Sequence, residues 1–142
     1  MIYLDTSFLA PLFREENATE KVTAFLSVQD AGSLAISKWT KVEFASLLAR
    51  EVRMNVLNPE EAELALEEFH NLATASLAIW LPDARDFDLA AEYVAKFETG
   101  LRGPDALHLA IARNRGAEFV ATLDEGMQLA ASMLGIPAGE FK

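Results

Sequence analysis

Four short apolar runs alternate with longer segments of helical spacing along the chain. The runs cover residues 2–5, 33–36, 76–81 and 119–124. Each run has the length of a buried strand, and the longer segments space their apolar residues as amphipathic helices do. Helices are predicted over residues 15–28, 37–52, 58–75, 83–97, 104–115 and 125–134. Strands separated by helices in this way are typical of an α/β domain with a largely parallel sheet.

Two of the predicted helices carry more detailed signals. Asn58 suits an N-cap, because a proline follows at the first turn and Glu61 is placed to complete a capping box. The helix at 37–52 has apolar residues at Val42, Ala45, Leu48 and Ala49. This stripe is expected to form the buried face of that helix.

Length and composition limit the kinds of protein that the chain can form. Its 142 residues suit a single domain, 1–142, large enough to bury a core without crosslinks. Cysteine is absent, which excludes disulfides, zinc–thiolate sites and a cysteine nucleophile. The N-terminus lacks a signal-peptide pattern, and no apolar run approaches the ~20 residues of a membrane span. We therefore expect a soluble, cytoplasmic protein with no membrane partner.

The net charge of −10 argues against a nucleic-acid partner, because affinity for phosphates comes from lysine and arginine. Two considerations weaken this objection. Carboxylates that bind metal ions no longer act as free negative charge, and a local basic face matters more than the global sum. The hydrophobic content of 51% suggests that some apolar surface is buried against a partner or a second copy.

Four acidic residues stand apart because of their positions. Asp5 and Asp124 each end a predicted parallel strand, at the edge of the sheet where ligands bind in open α/β folds. Glu43 lies in the apolar stretch VEFASLLA, and Asp105 follows the proline that starts a helix. Each residue taken alone has an ordinary explanation as a helix cap, a partner of the helix dipole or part of a polar stripe. Together they are the candidate functional residues of the chain.

Four segments contain these acids, namely YLDTS at 3–7, KVEFASLLAR at 41–50, GPDALHLAIAR at 103–113 and VATLDEGM at 120–127. In order and approximate spacing they resemble the PIN-domain ribonucleases, and within them the VapC-like toxins of toxin–antitoxin pairs. The resemblance spans nearly the whole chain. It implies a three-layer α/β/α domain with a central, largely parallel sheet of four to five strands.

The resemblance also implies that Asp5, Glu43, Asp105 and Asp124 are the catalytic residues of a metal-dependent endoribonuclease. The three aspartates would bind metal directly or through water, and Glu43 would bind metal or orient the attacking water. Four converging carboxylates would repel one another unless cations neutralised them. Since every ligand is oxygen, the expected cofactor is Mg²⁺ or Mn²⁺, as one ion or two.

Three hydroxyl residues accompany the acids. Thr6 and Ser7 follow Asp5, and the sequence alone favours them as caps of the next helix. The resemblance also allows them to lie beside the metal site. Thr122 matches a family position that often carries a hydroxyl, which would orient a carboxylate. His108, flanked by two leucines, is expected to be a core or supporting residue and not a ligand.

The expected partners are an RNA substrate, a cognate antitoxin protein and a second copy of the chain. The antitoxin would place a peptide in the active-site groove and offer an arginine to the carboxylates, and the homodimer would form through the helices spanning 37–75. Transfer, ribosomal and messenger RNA all remain candidate targets. Two alternatives stay open: a non-cleaving PIN-fold module that binds RNA or protein, and a Mg²⁺-dependent phosphatase of the haloacid dehalogenase type. The phosphatase should have a second aspartate where Ser7 stands.

Overall fold

The structure of the chain is a computed structural model that describes residues 1–13 and 18–141, and over these residues it contains five β-strands and seven α-helices. The strands are β1 (Ile2–Leu4), β2 (Leu34–Ser37), β3 (Ala78–Trp80), β4 (Phe119–Ala121) and β5 (Ala138–Gly139). The helices are α1 (Thr6–Leu9), α2 (Thr19–Ser27), α3 (Lys38–Arg53), α4 (Pro59–Ser76), α5 (Ala84–Ala95), α6 (Gly103–Asn114) and α7 (Glu125–Met133). Short 3₁₀ turns follow α1 and α5.

All strands of the sheet run parallel, in the order β3-β2-β1-β4-β5. The strand nearest the N-terminus is therefore the central one, with Tyr3 in register with Ala35 on one side and Val120 on the other. The carboxyl ends of β1 and β4 are neighbours because the two strands are paired in parallel. The α/β class and the parallel sheet predicted from the sequence are confirmed.

Helices cover both faces of the sheet, because the side chains of β1 alternate between two buried cores. Ile2 and Leu4 belong to one core, with Phe44 of α3 and Phe69 of α4. Tyr3 belongs to the other, which includes the buried face of α6 and residues of α5 and α7. Two helical layers around one sheet form the expected three-layer α/β/α arrangement. None of the helices in the described part of the chain is long and apolar enough to span a membrane.

Local predictions have mixed outcomes. Asn58 caps α4, accepting a 2.8 Å hydrogen bond from the backbone N–H of Glu61, whose side chain completes the capping box at 3.0 Å. The stripe predicted for α3 is wrong at Val42, Ala45 and Ala49, which are exposed, and right at Leu48, which is buried. Phe44 is fully buried instead. The buried face is rotated because Glu43, beside Phe44, faces a polar cleft. The expected start of the first long helix, at residue 15, lies outside the described residues.

Candidate active site at the carboxyl edge of the sheet

The four candidate acids line one cleft of about 340 Å³ at the carboxyl edge of the sheet. Asp5 directly follows β1, and Asp124 follows β4 after two residues. Glu43 comes from the second turn of α3, and Asp105 from the first turn of α6. Parallel pairing of β1 with β4 brings the two strand ends together, so residues 119 positions apart in sequence meet at one site.

Asp5 is held more tightly than an ordinary surface carboxylate. The residue is 4% exposed, and its Oδ2 accepts hydrogen bonds from Ser7 Oγ at 2.6 Å and Thr122 Oγ1 at 2.9 Å. Ser7 Oγ also accepts the backbone N–H of Leu123 at 3.1 Å, which ties the turn after β4 to the turn after β1. The backbone N–H of Asp5 donates to the carbonyl of Ala121 at 2.9 Å. The carboxylate therefore has a fixed direction before any ligand binds.

The expectation that Thr6 or Ser7 caps the next helix is wrong. The N-cap position of α1 is Asp5, and no side chain makes the capping hydrogen bond. Ser7 donates to Asp5, and Thr6 donates to Oε1 of Glu43 at 2.9 Å. Hydrogen bonds to a charged acceptor are stronger than those between neutral groups, so the two hydroxyls bind the carboxylates of the cleft instead.

His108 links Glu43 to the buried side of the sheet. Its Nε2 forms a hydrogen bond with Oε1 of Glu43 and lies 3.5 Å from Oδ1 of Asp5. Its Nδ1 lies 2.7 Å from the hydroxyl of Tyr3, and that hydroxyl lies 2.8 Å from Oγ of Ser37. Tyr3, Ser37 and His108 all have 0% exposure. A polar chain thus runs from the core beneath α6 to the carboxylates of the cleft.

The hydrogen bond between His108 and Glu43 shifts the pKa of both residues. Burial favours a higher pKa for Glu43, but the hydrogen bond and charge of His108, with the Thr6 hydroxyl, outweigh burial and lower the pKa below its ordinary value. Burial favours a lower pKa for His108, but the electrostatic effect of Tyr3, the hydrogen bond to Glu43 and the charges of Asp5 and Glu43 raise it to about 10. The contact therefore favours the charged form of each partner.

The pKa of Asp105 is shifted in the opposite direction from that of Glu43. Burial is the largest cause, and the negative charges of Asp5, Asp124 and Glu43 add to it, so the pKa of Asp105 rises from 3.8 to about 6. His108 opposes this effect only in part. Asp105 is therefore partly buried beside the negative charges of the other three acids of the cleft.

Asp124 has a structural contact as well as a place in the cleft. Its Oδ1 accepts the backbone N–H of Met127 at 3.0 Å and so caps α7, which the sequence had left open. Its own N–H donates to Thr122 Oγ1 at 3.1 Å. Its side chain is exposed, and a Cβ at Gly126 would lie 3.2 Å from Asp124 Oδ1. The glycine therefore leaves room for this carboxylate.

The cleft fits a hard divalent cation. Its acids offer only oxygen, Asp5 is oriented by two hydroxyls, and the raised pKa of Asp105 indicates repulsion that a cation would relieve. In the described part of the chain, Asp5, Glu43 and His108 place possible ligand atoms within 4.8 Å of one another. The sequence pointed to His108 only as a supporting residue. Its position one turn after Asp105 was the signal for its closeness to the site.

Basic residues are unevenly placed around the acids. Arg50 of α3 lines the cleft, where a guanidinium can contact phosphate. Arg115 is used elsewhere, because it donates to Asp86 Oδ1 at 3.0 Å and to the carbonyl of Leu81. Arg113 reaches the carbonyl of Gly135 at 3.5 Å. Of these arginines near the sequence motifs, Arg50 is the one that lies in the cleft.

Solved structures with a similar fold include a toxin and a toxin–antitoxin complex. The sarcin–ricin loop cleaving toxin VapC20 from Mycobacterium tuberculosis aligns with a TM-score of 0.77 at 19% identity, covering 100% of this chain and 99% of that chain. FitAcB from Neisseria gonorrhoeae aligns with a TM-score of 0.72 at 22% identity, covering 100% and 97%. A toxin–antitoxin complex from Klebsiella pneumoniae aligns with a TM-score of 0.59 at 19% identity, covering 87% of each chain. At these identities the likeness establishes the fold.

Family membership rests on the sequence. No curated protein matches the chain. The family profile of the PIN domain, however, matches residues 2–132, which include all four acids of the cleft. With the three-layer fold and its parallel sheet, this match means that the chain belongs to the PIN domain family.

Proposed function

We propose that the chain is a Mg²⁺- or Mn²⁺-dependent endoribonuclease that hydrolyses RNA phosphodiester bonds. The observation that carries the proposal is the convergence of Asp5, Glu43, Asp105 and Asp124 on one cleft of a PIN-domain chain. A cleft of acids repels a polyanion by itself, so its use on RNA requires cations. This requirement answers the objection raised by the net charge of −10.

In this proposal Asp5, Asp105 and Asp124 hold one or two ions, and Glu43 holds an ion or orients the attacking water. A bound ion supplies activation of water and stabilisation of charge on the scissile phosphate. Ser7 and Thr122 keep Oδ2 of Asp5 in place through the hydrogen bonds described above. Arg50, the basic residue of the cleft, contacts a phosphate of the substrate.

We further propose that this nuclease is a toxin inhibited by a cognate antitoxin in the cytoplasm. Support comes from the similar structures, which include a toxin described as cleaving the sarcin–ricin loop and a toxin–antitoxin complex. An antitoxin peptide with an arginine would neutralise the same carboxylates that hold the ion. Inhibitor and cation would then compete for the cleft.

The sequence predicts the homodimer contact on residues 37–75, and we propose instead that it uses an apolar groove that has only Trp39 in that segment. This groove of about 640 Å³ lies between α5, α6 and Trp39, lined mostly by apolar residues. Phe87 and Phe97 in this groove are 56% and 86% exposed, and the lining also contains small residues, namely three alanines and Gly103. Rings and small residues on one surface suit a twofold contact between two copies. The groove shares Trp39 with the segment 37–75, and its other lining residues lie on α5, on the 3₁₀ turn after α5 and on α6.

Cleavage of a mixed RNA substrate tests the proposed activity. We expect fragments with Mg²⁺ or Mn²⁺, none with chelator, and none from the Asp5→Asn variant. Asp83→Asn is a matched control, because Asp83 is an acid outside the cleft whose capping role asparagine can keep. Cleavage that survives both chelation and Asp5→Asn would contradict the metal-nuclease proposal. RNA binding without cleavage under any of these conditions would favour the binding-module alternative.

A further inference from the structure

His108 is a buried imidazole at the site, and two roles are compatible with its position. Its Nε2 lies close enough to Asp5 and Glu43 for the three residues to share an ion. It also lies in hydrogen-bond contact with Oε1 of Glu43. A ligand needs a free lone pair on Nε2, whereas a hydrogen-bond donor needs a proton there. The surrounding contacts distinguish these two states.

The contact with Glu43 requires a proton between the two atoms. A carboxylate oxygen has only lone pairs to offer, so a bare imidazole nitrogen at this separation would be repelled. Glu43 Oε1 is the proton acceptor, because the same oxygen already accepts a hydrogen bond from Thr6 Oγ1 at 2.9 Å. The Nε2–H of His108 is therefore the donor, and its lone pair is not available to an ion in this arrangement.

The far side of the ring is fixed by the core. Nδ1 lies 2.7 Å from the Tyr3 hydroxyl, which is itself held by Ser37 at 2.8 Å and lies 3.4 Å from Oγ1 of Thr40. These hydroxyls can donate or accept, so they satisfy Nδ1 whether or not it carries a proton. The ring orientation that points Nε2–H at Glu43 is thus set by β1 and by the start of α3.

Both donors to Glu43 meet the same oxygen. Thr6 Oγ1 donates to Oε1 at 2.9 Å, and Nε2–H of His108 donates to that atom too. Oε2 takes part in neither hydrogen bond. The carboxylate is therefore anchored through one oxygen and keeps the other for a ligand of the cleft.

We propose that His108 is a positioning residue that holds the Glu43 carboxylate through Nε2–H, with Tyr3 fixing the imidazole ring from the core. Metal ligands are commonly oriented by hydrogen bonds from residues that do not touch the ion. Here an imidazole orients a carboxylate, and the four acids remain an all-oxygen set. The inference rests on the proposed metal site, since it assigns His108 a role toward one of the proposed ligands.

The first test is nuclear magnetic resonance of the histidine nitrogens in ¹⁵N-labelled protein. The chain has two histidines, so the His70→Gln variant leaves His108 as the single source of signal. We expect Nε2 to carry a proton without metal, to keep it after addition of Mg²⁺, and to change its resonance in Glu43→Gln. An unprotonated Nε2, or loss of its proton when Mg²⁺ is added, overturns the proposal and makes His108 a ligand.

The second test measures Mn²⁺ binding by electron paramagnetic resonance. His108→Leu should weaken binding about tenfold, and His108→Gln should restore part of it because an amide can donate to Glu43. Tyr3→Phe, which removes only the hydroxyl, should also weaken binding. Circular dichroism checks each fold, and Tyr3→Phe with His108→Gln provides the comparison if His108→Leu does not fold. Wild-type affinity in the folded variants overturns the positioning role.

The two tests separate this inference from the proposed function. If the wild-type chain binds no Mn²⁺ while Nε2–H still responds to Glu43→Gln, the proposed metal site is wrong and the hydrogen bond by which His108 holds Glu43 stands. If the wild-type chain binds Mn²⁺ while Nε2 lacks a proton, the metal site stands and only the role of His108 is overturned.

Discussion

Thr122 donates a 2.9 Å hydrogen bond to Oδ2 of Asp5 across 117 positions of sequence. Both residues follow paired parallel strands, and Thr122 is fully buried. Its hydroxyl also accepts the N–H of Asp124 at 3.1 Å. One side chain therefore contacts two of the four acids and sets their separation.

Replacing Thr122 with valine should weaken the site without unfolding the chain. Valine keeps the shape of threonine but leaves Oδ2 of Asp5 with Ser7 alone, so we expect Mn²⁺ affinity and RNA cleavage to fall about tenfold. Titration calorimetry and a cleavage assay measure the effect. Thr99→Val is the control, because Thr99 is also buried but donates to the carbonyl of Lys96 and does not line the cleft. An equal loss in both variants would mean that packing, not orientation, is responsible.

Two substitutions at Asp124 should separate its cap from its charge. An asparagine at this position would still accept the Met127 N–H, so Asp124→Asn should keep its stability while Mn²⁺ affinity falls. Asp124→Ala removes cap and charge, and should lose about 1 kcal/mol of unfolding free energy as well. Urea unfolding and Mn²⁺ titration give the two quantities. If Asp124→Asn binds Mn²⁺ like the wild type, Asp124 is a cap and not a ligand.

Asp105→Asn should stabilise the metal-free protein at neutral pH. Burial, and then Asp5, Asp124 and Glu43, raise the pKa of Asp105 in the folded state to about 6 from 3.8. The folded state thus holds this proton more tightly than the unfolded state does, and the contribution of Asp105 to stability falls as pH rises from about 4 to about 6. Below that window the carboxyl is neutral in both states, so the benefit of asparagine should disappear.

Urea unfolding with chelator at about pH 4 and about pH 7.5 checks this pH dependence. Asp83→Asn provides a comparison of opposite sign. The pKa of Asp83 is lowered, chiefly by its hydrogen bond from Arg85, so the charged carboxylate of Asp83 stabilises the folded state at neutral pH. Asp83→Asn removes this charge and should therefore not stabilise the protein. A gain for Asp105→Asn that is independent of pH would contradict the proposed repulsion. Addition of Mg²⁺ should reduce the gain in unfolding free energy from Asp105→Asn if the ion relieves the repulsion at Asp105.

The homodimer predicts a difference between two equally exposed apolar residues. Phe87 lies in the groove on α5 and is 56% exposed, and Leu64 lies on α4, within the segment 37–75, and is 57% exposed. We expect Phe87→Asp to produce monomers, because a buried charge without a partner opposes association. Leu64→Asp should remain dimeric. Light scattering coupled to size-exclusion chromatography distinguishes the two, and the reverse result would place the contact on the 37–75 helices.

The sheet and the location of the cleft could be predicted because both follow from local patterns. Asp5 and Asp124 end apolar runs, and parallel strands necessarily bring their carboxyl ends to one edge. The capping box of Asn58 and Glu61 was predictable for the same reason, since its two residues are only three positions apart in the sequence. Strand β5, at Ala138–Gly139, has only two residues and offers no period to detect.

Side-chain contacts across the fold could not be predicted in this way. The pairing of His108 with Glu43 spans 65 positions and depends on how α6 and α3 sit against the sheet. The hydroxyls of Thr6 and Ser7 suit a helix cap in isolation, and only the assembled cleft supplies the carboxylates that bind them instead. Likewise, Val42 lies on the exposed face of α3 because the neighbouring Glu43 faces the cleft.

The central position of β1 has a consequence for synthesis. Because β1 is hydrogen-bonded to β4, the cleft is incomplete until residues more than a hundred positions later have left the ribosome and paired with it. Asp5 is synthesised first, and Thr122 and Asp124 follow more than a hundred residues later. A growing chain therefore carries separate fragments of the site for most of its translation, and the acids come together only at a late stage.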